Sequence, residues 1–246
     1  MRFKLTLEYD GGPYQGWQRV NNGPSVQGAL EDAVFALTGA RTEIVGAGRT
    51  DSGVHATGQV AHVDIEKAIE AFRLAEALNA HIRPHPISIL NAEEAGPEFH
   101  ARFDATRRVY RYAILNRRGP AAIARGFVWR LARDLDANAM HRAAQCLLGR
   151  HDFTTFRDAN CQAKSPVKTL DRCDVSRDGE TVEVWCEAQS FLHRQVRSIV
   201  GTLVEVGLGK MGADDVAAAL AAVDRTRCGP VAPADGLFLT RVDYAK

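Results

Sequence analysis

Along the first strand-length of the chain, Phe3, Leu5, Leu7 and Tyr9 alternate with charged or small residues, the two-residue period of a half-buried β-strand over 2–9. Gly11, Gly12 and Pro13 then predict a turn. From Ser25, a hydroxyl-bearing helix start, Val26, Leu30, Val34 and Leu37 recur at helical spacing until Gly39 stops the pattern. Shorter patterns predict strands over 42–47 and 59–65, a helix over 66–80 and a strand over 87–92. Residues 109–115 alternate again. The second half predicts a helix over 136–148, strands over 169–175 and 181–188, and a long helix from Phe191. Helices and strands mix without strict βαβ alternation, which predicts an α+β fold in two similar halves, 1–105 and 106–246, joined around 104–108 with no sequence repeat or proline-rich linker at the junction.

Composition narrows the class. At 246 residues, 46% hydrophobic and 25% charged, the chain is ordinary for a folded globular protein. No apolar run approaches the roughly 20 residues needed to cross a bilayer. The opening MRFKLTLEYDGG lacks the apolar core of a signal peptide, so a cytoplasmic protein is expected, with no membrane partner. Cys146, Cys161, Cys173, Cys186 and Cys228 are odd in number and widely spaced, which predicts reduced thiols and no metal site. Lys plus Arg (31) and Asp plus Glu (30) nearly cancel, yet 100–133 holds nine arginines against one acid, Asp104. With Tyr110, Tyr112, Phe127 and Trp129 interleaved, that segment suits phosphate contacts and base stacking; it equally suits a solvated charged face.

Two stretches carry candidate chemistry. In GAGRTDSGVHATGQV, residues 46–60, glycines surround Arg49, Thr50, Asp51, Ser52 and His55, and such glycines let backbone approach a ligand closely. A polar turn between two strands reads the same way, with Asp51 and Ser52 bonding locally. On the helix from Phe191, Arg194, Gln195, Ser198, Thr202 and Glu205 fall on one polar arc, whereas Arg197 falls among valines and leucines. A guanidinium there either snorkels to water or pairs with a carboxylate, holding it ionised.

Seven ordered blocks extend these clues along nearly the whole chain: YDGGPYQGWQR, SVQ, GAGRTDSGVHATGQV, FHARFDATRRVYRY, GRHDFTTF, SFLHRQVRSIVG and GLFL. In them the chain resembles the tRNA pseudouridine synthases A. The resemblance implies two tandem ferredoxin-like α/β subdomains around a basic central cleft, a homodimer, and no cofactor. It implies isomerisation of uridine to pseudouridine at positions 38, 39 and/or 40 in the anticodon stem-loop of tRNA. Asp51 is then the nucleophile. Tyr110 would stack on the target base and is a candidate to move its C5 proton. Arg197 would pair with the catalytic aspartate, and Arg49 would hold the flipped-out nucleotide. His193, Arg194 and Gln195 depart from the family's usual residues before Val196-Arg197, and the resemblance implies no catalytic part for His193 or Arg194.

Three rival readings stand beside this one. A non-catalytic RNA-binding protein would not need Asp51. A nucleoside hydrolase normally wants two carboxylates at the bond being broken, and only Asp51 stands in a distinctive context. A pseudouridine synthase acting on another RNA would keep the same loop.

Overall fold

The computed structural model describes residues 1–20 and 23–245. It is a mixed α+β protein, as the periodicity predicts, and its contacts divide the chain into two compact units, Met1–Thr106 with Phe238–Lys246 and Arg107–Leu237.

The first unit is built on β1 (Arg2–Tyr9), whose buried Phe3, Leu5, Leu7 and Tyr9 alternate with less buried neighbours. β1 lies antiparallel between β3 (His55–Asp64) and β4 (Ile87–Ala95). The other edge of β3 is shared by β2 (Val45–Gly46), opposite His62 and Ala61, and by β10 (Leu237–Tyr244), which runs parallel and sets Phe238 and Leu239 opposite His55 and Ala56. Helix α1 (Val26–Thr38) opens with the Ser25 hydroxyl accepting the Gly28 amide and closes at Gly39 in the left-handed region. Helix α2 (Ala71–Ile82) buries Leu74, Leu78 and Ile82. It starts later than the expected 66, because the Ile65 amide is bonded to the Met1 carbonyl and prolongs the extended course of β3. The strand expected over 42–47 is reduced to the two residues of β2.

In the second unit, β5 (Ala105–Asn116), β9 (Thr181–Ala188), β8 (Val167–Asp178) and β7 (Gly149–Asp152) form an antiparallel series, with β6 (Trp129–Leu131) parallel beside the end of β5. Helix α3 (Ala137–Ala144), capped by the Asp136 carboxylate, tightens into a 3-10 turn over Gln145–Leu147 where a continuous helix was expected. Helix α4 (Gln195–Gly207) is buried along nearly its whole length, and α5 (Ala213–Ala222) follows. The helix expected from Phe191 begins only at Gln195, because Arg194 takes a left-handed conformation (φ 59°) and the Leu192 amide is held by the Gln195 side chain. Cys173 and Cys186 face each other across β8 and β9 with 3.8 Å between sulfurs, and all five cysteines are free.

Candidate active site

Asp51 sits in the loop between β2 and β3, half-buried, with its own carbonyl accepting the Val54 amide at 3.1 Å. The segment after β1 grips this loop from one side. The Trp17 amide donates to the Thr50 carbonyl at 3.0 Å, the Ser52 hydroxyl donates to the Tyr14 carbonyl at 3.2 Å, and the Gly53 amide reaches the same carbonyl at 3.4 Å. Two glycines make the approach possible. A β-carbon on Gly11 would lie 2.0 Å from the Val54 carbonyl oxygen, and one on Gly16, at φ +104°, would lie 2.6 Å from that of Thr50. These two glycines lie outside 46–60 and bring backbone against backbone.

Below the loop lies a buried polar chain that sequence reading passes over. Tyr9 and Thr50 share a hydrogen bond of 2.8 Å between hydroxyls, and the Gln59 amide nitrogen donates to the Gly48 carbonyl at 2.9 Å and to the Tyr9 hydroxyl at 3.4 Å. Burial pushes the Tyr9 phenol up to about 12, so it remains a neutral hydroxyl. The signal available beforehand was Gln59, a glutamine next to Val60, Ala61 and Val63 on β3, since a buried amide needs partners. Next to the chain, buried His55 stacks on Phe238 with 4.8 Å between ring centroids, and its Nδ1 lies 3.0 Å from the Gly11 amide nitrogen and 3.1 Å from an Asp10 carboxylate oxygen. Arg49 is exposed, whereas Trp17 is buried and packs near Tyr9, a core residue.

The other two expected site residues belong to the second unit. Tyr110 stands on β5 opposite Cys186, only 9% exposed, with the Phe191 ring meeting it edge-on at 5.2 Å. Arg197 is half-buried on α4; its Nε donates to the Ala232 carbonyl at 2.8 Å, and the Ala232 amide donates back to the Arg197 carbonyl at 3.0 Å. Backbone on both sides of residue 232 meets this arginine, which its place among valines and leucines on the helix does not foretell. Nearby, burial drives the Tyr112 phenol well above its ordinary value against the pull of the Arg197 charge, and its hydroxyl donates to the Pro233 carbonyl.

The polar arc expected on this helix is largely internal: Gln195, Ser198 and Thr202 are buried, and Thr202 donates to the Ser198 carbonyl while accepting the Gly229 amide. Loop 228–232 covers that arc. Arg194 is paired with Asp158 at 2.9 Å, and His193 lies 3.7 Å from the same carboxylate. The arginines of 100–133 also divide. Arg107, Arg111 and Arg117 form ion pairs with Glu187, Glu183 and Glu180, and Arg108 is buried against the Gln189 carbonyl. Arg102, Arg118, Arg125, Arg130 and Arg133 remain exposed. Three of the nine arginines are thus answered by acids of β9 and the turn before it, which are distant in sequence.

Among the described residues no group of three or more His, Cys, Asp or Glu side chains is placed to hold a metal ion, and no helix is long and apolar enough to cross a membrane.

The family model described as tRNA pseudouridine synthase matches residues 6–104 and 143–245. A protein of Rhodopseudomonas palustris (strain BisB18) is 62% identical over 243 residues, covering 99% of both chains, and one of Maricaulis maris (strain MCS10) is 59% identical, covering 99% of this chain and 98% of its own. A protein of Bradyrhizobium diazoefficiens is 60% identical over the same length. All three bear the name tRNA pseudouridine synthase A.

Proposed function

The chain belongs to the tRNA pseudouridine synthase family, and from that membership we propose that it isomerises uridine to pseudouridine at positions 38, 39 and/or 40 of the tRNA anticodon stem-loop, with Asp51 as nucleophile. Isomerisation of uridine in tRNA is the family's reaction.

The chemistry balances without a co-reactant. The Asp51 carboxylate bonds to the substrate, the C1′–N1 glycosidic bond breaks, and the uracil turns within the site. A C1′–C5 bond then forms, C5 loses its proton, N1 gains one, and the carboxylate is released. A target base must leave its stack to reach such a site, so an aromatic platform is needed, and Tyr110 fills that role in the proposal. Arg197 is proposed as the cation paired with Asp51, and Arg49 as the contact to the displaced nucleotide. We include in the proposal a homodimer working in the cytoplasm.

The observation that supports this reading most is the grip on residues 50–53 by the 14–17 segment, which leaves Asp51 half-buried on a fixed backbone. A polar turn needs no such clamp; a nucleophile that must meet one atom does. The test is tritium release from C5-labelled uridine in unmodified tRNA, with tRNA binding measured in parallel. Wild type should release tritium and Asp51→Ala should bind but release none. Release by Asp51→Ala at the wild-type rate would remove Asp51 from the chemistry.

A further inference from the structure

The buried Tyr9–Thr50–Gln59 chain lies one residue from the proposed nucleophile, and its polarity needs explaining. A strand, β3, could have carried an apolar side chain at position 59 and β1 a phenylalanine at position 9, since both positions are inside the core. Buried polar groups stabilise a fold no better than well-packed apolar ones of the same shape, and each unpaired member is costly. What such a chain does supply is direction, because every hydrogen bond in it fixes an angle as well as a distance.

The direction can be read from the partners. The Gly48 carbonyl only accepts, so the Gln59 atom facing it is the amide nitrogen; the Gln59 oxygen then takes the Val60 amide at 3.2 Å. The same nitrogen points at the Tyr9 oxygen, which leaves the phenolic hydrogen to donate to Thr50. Gln59 therefore holds Gly48 directly and Thr50 through Tyr9. Thr50 is fixed a second time through its carbonyl by the Trp17 amide. Residues 48 and 50 are pinned from inside the sheet, Arg49 between them is exposed, and Asp51 follows at once.

We infer that Tyr9, Thr50 and Gln59 are positioning residues for the reaction: they set the backbone from which Asp51 and Arg49 project, and their hydroxyl and amide groups are there for rate rather than for stability. This rests on the assignment of Asp51 as nucleophile. A nucleophile displaced by even a fraction of an ångström from its target loses rate steeply.

The test uses Tyr9→Phe, Thr50→Val, the double variant of both, Thr50→Ser and Asp51→Ala, each as the full chain. Single-turnover tritium release, tRNA Kd and Tm are measured for all. Tyr9→Phe and Thr50→Val should each slow the chemical step by about 10- to 100-fold with the tRNA Kd unchanged, and Thr50→Ser, which keeps the hydroxyl, should run near the wild-type rate. The double variant separates the two explanations. Removing both hydroxyls leaves neither unpaired, so Tm should recover toward wild type, while the rate stays down because the backbone is still unguided. Recovery of rate together with Tm would reduce the chain to a packing feature and overturn the inference. Wild-type rates in Tyr9→Phe and Thr50→Val, beside an inactive Asp51→Ala, would overturn it too and leave the nucleophile standing; an active Asp51→Ala would instead bring down the reading beneath it. If Thr50→Val does not fold, Tyr9→Phe, which removes a single oxygen, decides alone.

Discussion

Gly16 lies so close to Thr50 that a β-carbon on it would come within 2.6 Å of the Thr50 carbonyl oxygen, and its φ of +104° is one that side-chain-bearing residues rarely adopt. Gly16→Ala meets both obstacles together. The turn should shift away from the loop, costing about 1–3 kcal/mol, and tritium release should fall more than the loss of Tm accounts for. A variant with wild-type Tm and rate would show that the close approach is not what seats the loop.

Arg197 gives its Nε to a backbone carbonyl and is proposed to give its charge to Asp51. Arg197→Ala removes both, and a lost hydrogen bond from a charged donor costs roughly 1.5–3 kcal/mol. Urea unfolding should show that loss, with turnover reduced beyond it. Arg197→Lys keeps a charge but not the guanidinium fork, and should recover part of the rate without the stability. Normal stability together with normal rate in Arg197→Ala would sink the pairing.

Tyr110 separates stacking from proton transfer. Tyr110→Phe keeps the ring that meets Phe191 edge-on, so tRNA affinity and Tm should hold. Any fall in tritium release then reports the hydroxyl's part in moving the C5 proton. Tyr110→Ala removes a nearly buried ring and should cost on the order of 3 kcal/mol, with weaker tRNA binding as well.

Alkaline unfolding should report Tyr9. Burial raises its phenol from the ordinary 10.0 to about 12, so the unfolded chain gives up this proton first. The contribution to stability is complete below pH 10.0 and is lost as pH rises through about 12. Tyr9→Phe has no proton to lose there, so its Tm should fall less steeply than that of wild type across this window. Parallel curves would mean that the phenol is no more shielded than in the unfolded chain.

What could be read beforehand follows the range of the forces involved. The strand over 2–9 and the helix between Ser25 and Gly39 are set by neighbours in sequence, through alternating burial and through caps, and both appear with those bounds. Asp51 stood out for a similar reason: its glycines are local. The polar arc on α4 gave no sign of what covers Ser198 and Thr202, because loop 228–232, some thirty residues on, lies over them. Helix α5 escaped notice since its alanine-rich ADDVAAALAA shows little contrast between faces, and β10 because its place is decided by pairing with β3 across most of the chain. The arginine-rich segment showed charge but not the glutamates that would answer it.

That pairing of β10 with β3 has a consequence for synthesis. Phe238 is set opposite His55, four residues after Asp51, and the sheet that carries the Asp51 loop takes its last strand from residues translated after the second unit. A ribosome must complete 107–237 before the first unit can close, so folding of the two is not sequential from the start of the chain. A nascent chain holding only the first hundred residues already contains Asp51, Tyr9 and Gln59, yet lacks the strand against which His55 packs. Such a chain carries the Asp51 loop without the strand that closes its sheet.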